Sequence, residues 1–93
     1  MPTTGTAAVI ERRLTAALSP QHLEVRDDSR LHSGHPGARA GGGHYSVVVV
    51  AAAFEGMGLL ERHRLVYSLL EEEMKLTIHA LALRTLAPGE WRG

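Results

Sequence analysis

The pattern of apolar and polar residues predicts a helix and then a strand in the first third of the chain. Between Thr6 and Leu18 apolar residues recur at helical spacing and polar residues fall mostly on the opposite face, which indicates an amphipathic helix. Ser19-Pro20 should end this helix, because proline disfavours helical backbone in the residue before it. From His22 to Asp27 apolar and polar residues alternate, which predicts a half-buried strand.

The second half of the chain is predicted to contain a buried strand, a long helix and a final strand. Tyr45 to Ala53 is a continuous apolar run rich in valine, which favours a central strand buried on both faces. Gly56 and Gly58 provide a turn into a helix from about Leu59 to Met74, which has one broad apolar arc. Apolar residues then alternate with small ones over Thr77 to Thr85, which predicts the last strand.

The order helix, strand, strand, helix, strand predicts an α+β fold, in which helices cover one face of a three-stranded sheet. A length of 93 residues suits a single domain spanning 1–93. Within it, residues 1–5 are expected to be disordered. The polar, glycine-rich segment 28–44 is expected to be a mobile loop joining the first two strands. Trp91 near the end of the chain is expected to fold back and cap the core.

Charge and composition narrow the possible functions. The formal net charge is zero, from 10 basic and 10 acidic residues, which lowers the expectation of a free-standing nucleic-acid binder. There is no cysteine, so neither a disulfide framework nor thiolate chemistry is available from this chain. No signal peptide pattern opens the chain, and the run Val47–Phe54 is too short to cross a bilayer. We therefore expect a soluble, cytoplasmic protein without membrane contact.

Motifs for catalysis are not evident in the sequence. We find no phosphate-binding glycine loop of the nucleotide-binding kinds and no Ser/His/Asp or paired-carboxylate arrangement, so we do not expect an enzyme. The run Glu71-Glu72-Glu73 is interpreted as a solvated helix surface. Gly34-His35-Pro36-Gly37 matches the Gly-x-x-Gly loop of KH nucleic-acid modules. That loop joins two helices in KH modules but two strands here, so we interpret the match as coincidence.

Six histidines in so short a chain are the unusual feature of the composition. Neutral imidazole is a good ligand for iron, zinc and copper. His32, His35 and His44 share the long loop, and His79 lies near the start of the last strand. Without cysteine, we expect a metal site only if a partner supplies thiolates and this chain supplies one or two imidazoles, as in iron–sulfur centres of mixed ligation. For any single histidine, a surface or hydrogen-bonded structural role stays open.

Arg62-His63-Arg64 occupies the first turns of the main predicted helix. On a helical wheel His63 falls within the apolar arc, Arg62 lies near its edge and Arg64 is on the exposed arc. Two interpretations stay open, a scaffold role inside the domain or a surface that binds a partner or nucleic acid. Arg64 is the better placed of the three to contact a partner.

Several motifs, taken together, resemble the BolA family over nearly the whole chain. They are Leu23-Glu24-Val25 followed by Asp27-Asp28-Ser29 and His32; His44-Tyr45 opening the run Val47-Val48-Val49-Val50; Phe54-x-Gly56; Arg62-His63-Arg64-x-Val66-Tyr67; Leu70-x-Glu72-Glu73; and Ile78-His79-Ala80-Leu81-Ala82-Leu83 followed by Pro88-x-Glu90-Trp91.

The resemblance implies an α+β fold similar to the class II KH topology and a non-enzymatic adaptor role. It implies binding to a monothiol glutaredoxin and a shared [2Fe-2S] cluster, with glutathione on the partner's side and no cluster held by the chain alone. The adaptor would act in cluster trafficking or in iron or redox sensing. In the family a histidine at the start of the last strand is a cluster ligand, which corresponds to His79. The second ligand comes from the loop, where His32 and His44 match family positions and His35 is extra.

The alternative implied by the resemblance is a DNA-binding, stress-responsive transcriptional regulator. In such family members the helix that carries Arg62-His63-Arg64 and the KH-like face are proposed to contact DNA. The chain departs from the family pattern in reading Asp27-Asp28-Ser29 where Asp-Glu-Ser is more usual, and its three loop histidines leave the second ligand open.

Overall fold

The structure is a computed structural model that describes residues 5–29 and 43–92. In chain order its elements are α1 (Thr6–Leu18), β1 (His22–Asp27), β2 (Gly43–Val50), α2 (Leu59–Leu69), α3 (Glu71–Leu76) and β3 (Ile78–Leu86). Short 3-10 turns follow β2 at Ala52–Phe54 and β3 at Pro88–Glu90. The predicted bounds of α1 and β1 are confirmed. The predictions for 1–5 and 28–44 fall largely outside the described residues.

β2 is the central strand of a three-stranded mixed sheet with the order β1-β2-β3. β1 pairs with β2 antiparallel, with His22 opposite Val50 and Asp27 opposite Tyr45. β2 and β3 run parallel, so the chain between them must cross over the sheet, and α2 and α3 form that crossover. The predicted α+β fold is confirmed, since the sheet is covered by helices.

The predicted burial of β2 on both faces holds at the end of the strand, where Val49 and Val50 are fully buried, but not along the rest of it. Tyr45, Val47 and Val49 are buried, whereas His44, Ser46 and Val48 between them are only partly buried. Helices on one face of a sheet leave the other face to solvent, and side chains alternate between the two faces. A valine run hides this alternation, because valine suits both positions. We call the side that carries His44, Ser46 and Val48 the open face.

The predicted long helix from Leu59 to Met74 is broken at Leu70. Leu70 has φ −108° and ψ 21°, and its N–H is shared between the carbonyls of Val66 and Tyr67 at 3.1 and 3.2 Å. Leu70 itself is fully buried. The sequence here contains neither proline nor glycine, so nothing in the local pattern signals the break.

The hydrophobic core lies between the helices and the sheet. Fully buried side chains from each layer meet in it, with Ile10 and Leu14 from α1, Val47 and Val49 from β2, and Phe54 from the turn after β2. Burial of a side chain of this size contributes about 1.5–3 kcal/mol. Gly56, with φ 80°, makes the turn that leads the chain from this core into α2.

Two surface predictions have a clear outcome. The acidic run is not simply solvated, because Arg13 of α1 pairs with Glu72 and Glu73 of α3, each at 2.9 Å. Trp91 does return to the sheet, where its ring stacks on His22 with centroids 4.7 Å apart.

Across residues 5–29 and 43–92, none of the helices has the length and apolar character that a membrane span requires.

Candidate metal-ligand site

The first residues of β2 and β3 lie side by side, and a β-bulge in β3 shifts the pairing of the two strands by one residue. Gly43 is opposite Ile78, but the next residue, His44, is opposite Ala80, so His79 is an extra residue in β3. Ile78 is buried, whereas His79 and Ala80 are both exposed, which interrupts the regular alternation of the strand. A bulge of this kind redirects a side chain. Here it presents His79 on the same face as His44.

The two imidazole rings form a pair. Their centroids are 5.2 Å apart and their planes are inclined by 52°. Two imidazoles that bind one tetrahedral ion at about 2.0 Å have centroids about 5 Å apart. His44 is partly buried and His79 is exposed, so one ring of the pair is packed against the protein and the other faces solvent. The separation therefore suits two ligands of one metal ion.

The two imidazoles could supply some of the ligands of a metal centre that is shared with another molecule. Within the described part of the chain no group of three or more His, Cys, Asp or Glu residues is arranged to hold a metal ion. Two imidazoles without thiolates match the mixed ligation in which histidine replaces cysteine on one iron of a [2Fe-2S] cluster. Because the chain has no cysteine, thiolate ligands for such a cluster would come from another molecule.

Asp28 and Ser29, at the end of β1, hold the backbone of His44; we call these two residues the clamp. The N–H of Asp28 donates to the carbonyl of His44 at 2.7 Å, and the N–H of His44 donates to Oγ of Ser29 at 3.1 Å. Ser29 is in turn fixed by its N–H, which donates to Oδ1 of Asp27 at 2.9 Å. The Oγ of Ser46 donates to Oδ2 of Asp28. Sequence reasoning missed this role, although Asp27-Asp28-Ser29 is one of the motifs that carry the family resemblance.

A small cavity of about 230 Å³ lies next to the pair. It is bordered by Asp28, His44, Tyr45, Ser46, Ala80 and Ala82. The side chains of Ala80 and Ala82 are small, so they leave the open face beside His44 accessible to a partner.

Two of the predicted ligands and the Gly34–Gly37 motif belong to the part of the chain that the structure does not describe. His32 and His35 lie outside the described residues, as does Gly34-His35-Pro36-Gly37. His44, which we expected in the loop, is the second residue of β2. Its pairing with Ala80 of β3 and its contact with the clamp extend the strand beyond the predicted start at Tyr45.

Arg62 has a different environment from that of the histidine pair. Its side chain is 10% exposed and its guanidinium donates to the carbonyls of Met57 at 2.9 Å and Thr85 at 3.2 Å. It also forms two bonds with the carboxylate of Glu90, at 2.6 and 3.1 Å, and lies 5.8 Å from the centroid of the Phe54 ring. These bonds join α2 to the end of β3 and to the turn that follows it.

The hydrogen-bonded contact between Arg62 and Glu90 shifts the pKa values of both side chains. The hydrogen bond from Arg62 and a second from the N–H of Ala87, at 2.9 Å, lower the pKa of Glu90 to about 2. The hydrogen bond to Glu90 raises the pKa of Arg62 above its ordinary value, against the opposing effect of burial. The ion pair is therefore present throughout the physiological range. Glu90 lies 28 residues after Arg62, and no local pattern predicts the contact.

The remaining residues of the triplet differ from Arg62. His63 is partly buried, and its Nε2 is buried without a hydrogen-bond partner among the residues that the structure describes. Arg64 is exposed. The triplet thus combines one arginine with internal partners, one histidine with an unsatisfied nitrogen, and one arginine facing solvent.

The structure is a small α+β protein in which two imidazole rings lie close together at the start of β2 and β3. The sequence profile of the BolA family, described as BolA-like protein, matches residues 14–90, and the chain belongs to this family. The family resemblance of the sequence motifs is thereby confirmed.

Several relatives are similar over most of the chain. It is 44% identical over 85 residues to BolA-like protein 1 of Homo sapiens, covering 91% of this chain and 60% of that protein. It is 45% identical over 84 residues to the DNA-binding transcriptional regulator BolA of Escherichia coli K12, covering 90% of this chain and 77% of that one. The chain thus spans less than two thirds of the human relative's length.

Solved structures agree with the fold. BolA1 from Arabidopsis thaliana superposes with a TM-score of 0.83 at 36% identity, covering 97% of this chain and 99% of that one. The solution structure of BolA1 from Mus musculus gives a TM-score of 0.77 at 39% identity, covering 99% and 77%. Another relative, 40% identical over 86 residues and covering 87% of this chain but 23% of that protein, is named SufE-like protein 1, chloroplastic/mitochondrial, from Arabidopsis thaliana. A cytoplasmic location therefore stays a prediction.

Proposed function

We propose that this protein is a non-enzymatic adaptor that binds a monothiol glutaredoxin and shares with it the ligation of a [2Fe-2S] cluster, in cluster trafficking or in iron or redox sensing. The observation that carries the proposal is the convergence of His44 and His79, whose ring centroids lie 5.2 Å apart on the open face. Membership of the BolA-like family supports it.

His44 and His79 would be the ligands from this chain. The glutaredoxin, with glutathione, would supply the thiolates, because this chain contains none. Such a cluster, when bound, supplies a redox centre whose potential is higher with imidazole than with thiolate ligands. The residues of this chain contribute position, since the clamp fixes the backbone of His44 and the bulge directs His79 outward. His32 remains the competing candidate for the second ligand and His35 the next.

The test is to mix the protein with a cluster-loaded monothiol glutaredoxin and glutathione, and to record visible absorption and circular dichroism. We expect a new spectrum with the wild-type chain and none with His79→Ala, because imidazole in place of thiolate changes the ligand field of one iron. His22→Ala is the matched control, since His22 is also on the sheet but stacks on Trp91. An unchanged glutaredoxin spectrum after mixing with the wild-type chain would contradict the proposal.

The second candidate is a DNA-binding transcriptional regulator acting through the KH-like face. The name of the Escherichia coli relative, 45% identical over 84 residues, favours it. Arg64 is the exposed basic residue of the triplet, whereas the charge of Arg62 is already paired with Glu90. Only part of the triplet is therefore available to phosphates.

Salt dependence separates this candidate from the first. Phosphate contacts release counterions, so that affinity for promoter DNA should fall steeply with salt concentration. Arg64→Ala should reduce the slope of log affinity against log salt by about 1. Binding that is undetectable, or that does not respond to salt, would remove the DNA-binding candidate.

A further inference from the structure

Gly43 has no room for a side chain. A Cβ at this position would lie 2.5 Å from Cε2, 2.6 Å from Oη and 2.8 Å from Cζ of Tyr45. Carbon atoms in contact are normally separated by about 3.5–4.0 Å, so even alanine requires a displacement. A Cβ on Gly89, by contrast, meets no atom within 4 Å. The restriction at Gly43 is therefore specific to its place under the ring of Tyr45.

The ring of Tyr45 is not free to move away. Tyr45 is 9% exposed and belongs to the hydrophobic core, whose side chains are closely packed. Gly43 is the first residue of β2, and its N–H donates to the carbonyl of Thr77 at 2.9 Å, just before β3 begins. A side chain on Gly43 would therefore displace the start of the strand rather than the ring.

The start of β2 carries His44, so a displacement there changes the histidine pair. His44 is held from one side by the clamp, at 2.7 and 3.1 Å. On the other side, the bond from Gly43 to Thr77 aligns β2 with the segment that leads to His79. The ring of Tyr45 against the bare Cα of Gly43 is the third contact at the start of the strand. All three contacts lie at His44 or at its immediate neighbours in the chain.

We propose that Gly43 is a positioning residue for the histidine pair: the absence of a side chain lets Tyr45 lie against the start of β2, and this contact sets His44 at its distance from His79. The inference rests on the proposed function for its biological meaning. The geometry that it concerns is a property of the free chain, and it is measurable without a partner.

A second substitution makes the inference specific. Leucine ends at its δ carbons, so Tyr45→Leu removes the three ring atoms that a Cβ on Gly43 would meet. Gly43→Ala should therefore disturb the histidine pair while Tyr45 is present and should be tolerated once leucine has replaced this tyrosine. Such dependence of one substitution on another identifies a direct interaction.

The test is nuclear Overhauser spectroscopy of the free chain, with variants Gly43→Ala, Tyr45→Leu, the double variant, and Gly89→Ala as the matched control. We expect cross-peaks between the ring protons of His44 and His79 in wild type and in Gly89→Ala, their loss in Gly43→Ala, and their return in the double variant. Circular dichroism establishes that each variant is folded. A folded Gly43→Ala that keeps wild-type cross-peaks would overturn the inference.

If Gly43→Ala does not fold, the double variant decides. A folded double variant with the wild-type cross-peaks supports the inference. A double variant that lacks the cross-peaks overturns the inference, and so does one that is unfolded although Tyr45→Leu is folded. In either case removal of the clash has not restored the geometry of the histidine pair.

Mixing each chain with cluster-loaded glutaredoxin separates the two proposals. Wild type without a spectral change contradicts the adaptor function alone, and a wild-type spectrum from folded Gly43→Ala contradicts the positioning role alone.

Discussion

The polar side chains at the two ends of β3 lie in opposite environments. At its start, His79 is exposed and pairs with the ring of His44 at 5.2 Å. At its end, the carbonyl of Thr85 accepts a bond from Arg62, whose charge is matched by Glu90. At about 3.3 Å per residue, these ends are roughly 20 Å apart. The basic motif of α2 is thus held through Arg62 by internal partners at one end of β3, whereas His79 is exposed at the other end.

The two ends of β3 differ in whether their polar side chains are hydrogen-bonded within the protein. A buried charge is stable only when it is paired and hydrogen-bonded, and the guanidinium of Arg62 meets both conditions. An exposed imidazole needs no internal partner, so His79 remains available for a ligand. Stability and ligation should therefore separate when the two ends are altered independently.

The largest loss of stability is expected from Arg62→Ala. The substitution removes the donor for the carbonyls of Met57 and Thr85 and leaves the carboxylate of Glu90 without its cation. We expect the Tm to fall by roughly 10 °C. The shared-cluster spectrum should be retained below that temperature. The control is Arg64→Ala, which changes an exposed residue of the same helix and should leave the Tm nearly unchanged. Equal effects of the two substitutions would show that the internal bonds of Arg62 do not stabilise the fold.

Acid should weaken the same end of the strand. Arg62 and the N–H of Ala87 lower the pKa of Glu90 to about 2 in the folded chain, whereas the unfolded chain has a value of about 4.3. The unfolded state therefore binds the proton first, and the stability from this carboxylate is present above about pH 4.3 and lost as the pH falls toward 2.

Glu90→Gln measures this contribution. In thermal melts from pH 7 down to pH 2, we expect wild type to be more stable than Glu90→Gln by a constant margin above about pH 5 and by a vanishing margin near pH 2. A margin independent of pH would show that Glu90 acts through packing and not through its charge.

A smaller effect, of opposite sign, is expected at His63. Its Nε2 is buried and lacks a partner among the residues that the structure describes. A buried polar atom without a hydrogen bond costs about 1–3 kcal/mol, so an apolar side chain of similar size should fit better. We predict that His63→Leu raises the Tm by a few degrees without changing the shared-cluster spectrum. A decrease in Tm would indicate that His63 has a partner that leucine lacks.

The smallest effect on stability is expected at the other end of β3. His79→Ala removes an exposed side chain, so its Tm should stay close to that of wild type, while the shared-cluster spectrum should disappear. The result is the reverse of that for Arg62→Ala. A large loss of stability in His79→Ala would mean that the histidine pair is part of the scaffold.

Local patterns were sufficient to predict α1 and β1, because their periodicity lies within one element. They were not sufficient for β2, where a valine run fits both faces, or for the break at Leu70, which has no proline or glycine. The partner of Arg62 is 28 residues away, and the bulge at His79 depends on strand pairing, so both become visible only in three dimensions. His79 was singled out by family resemblance, whereas its approach to His44 needed the fold.

The most direct test of the central claim is to count the imidazoles on the shared cluster. The chain is labelled with ¹⁵N-histidine, combined with unlabelled glutaredoxin, glutathione and the cluster, reduced, and measured by pulsed electron paramagnetic resonance. We predict hyperfine couplings from two ¹⁵N imidazoles in wild type and from one in His44→Ala or His79→Ala. Absence of ¹⁵N couplings in wild type would contradict histidine ligation, and two couplings in His44→Ala would contradict the pairing of His44 with His79.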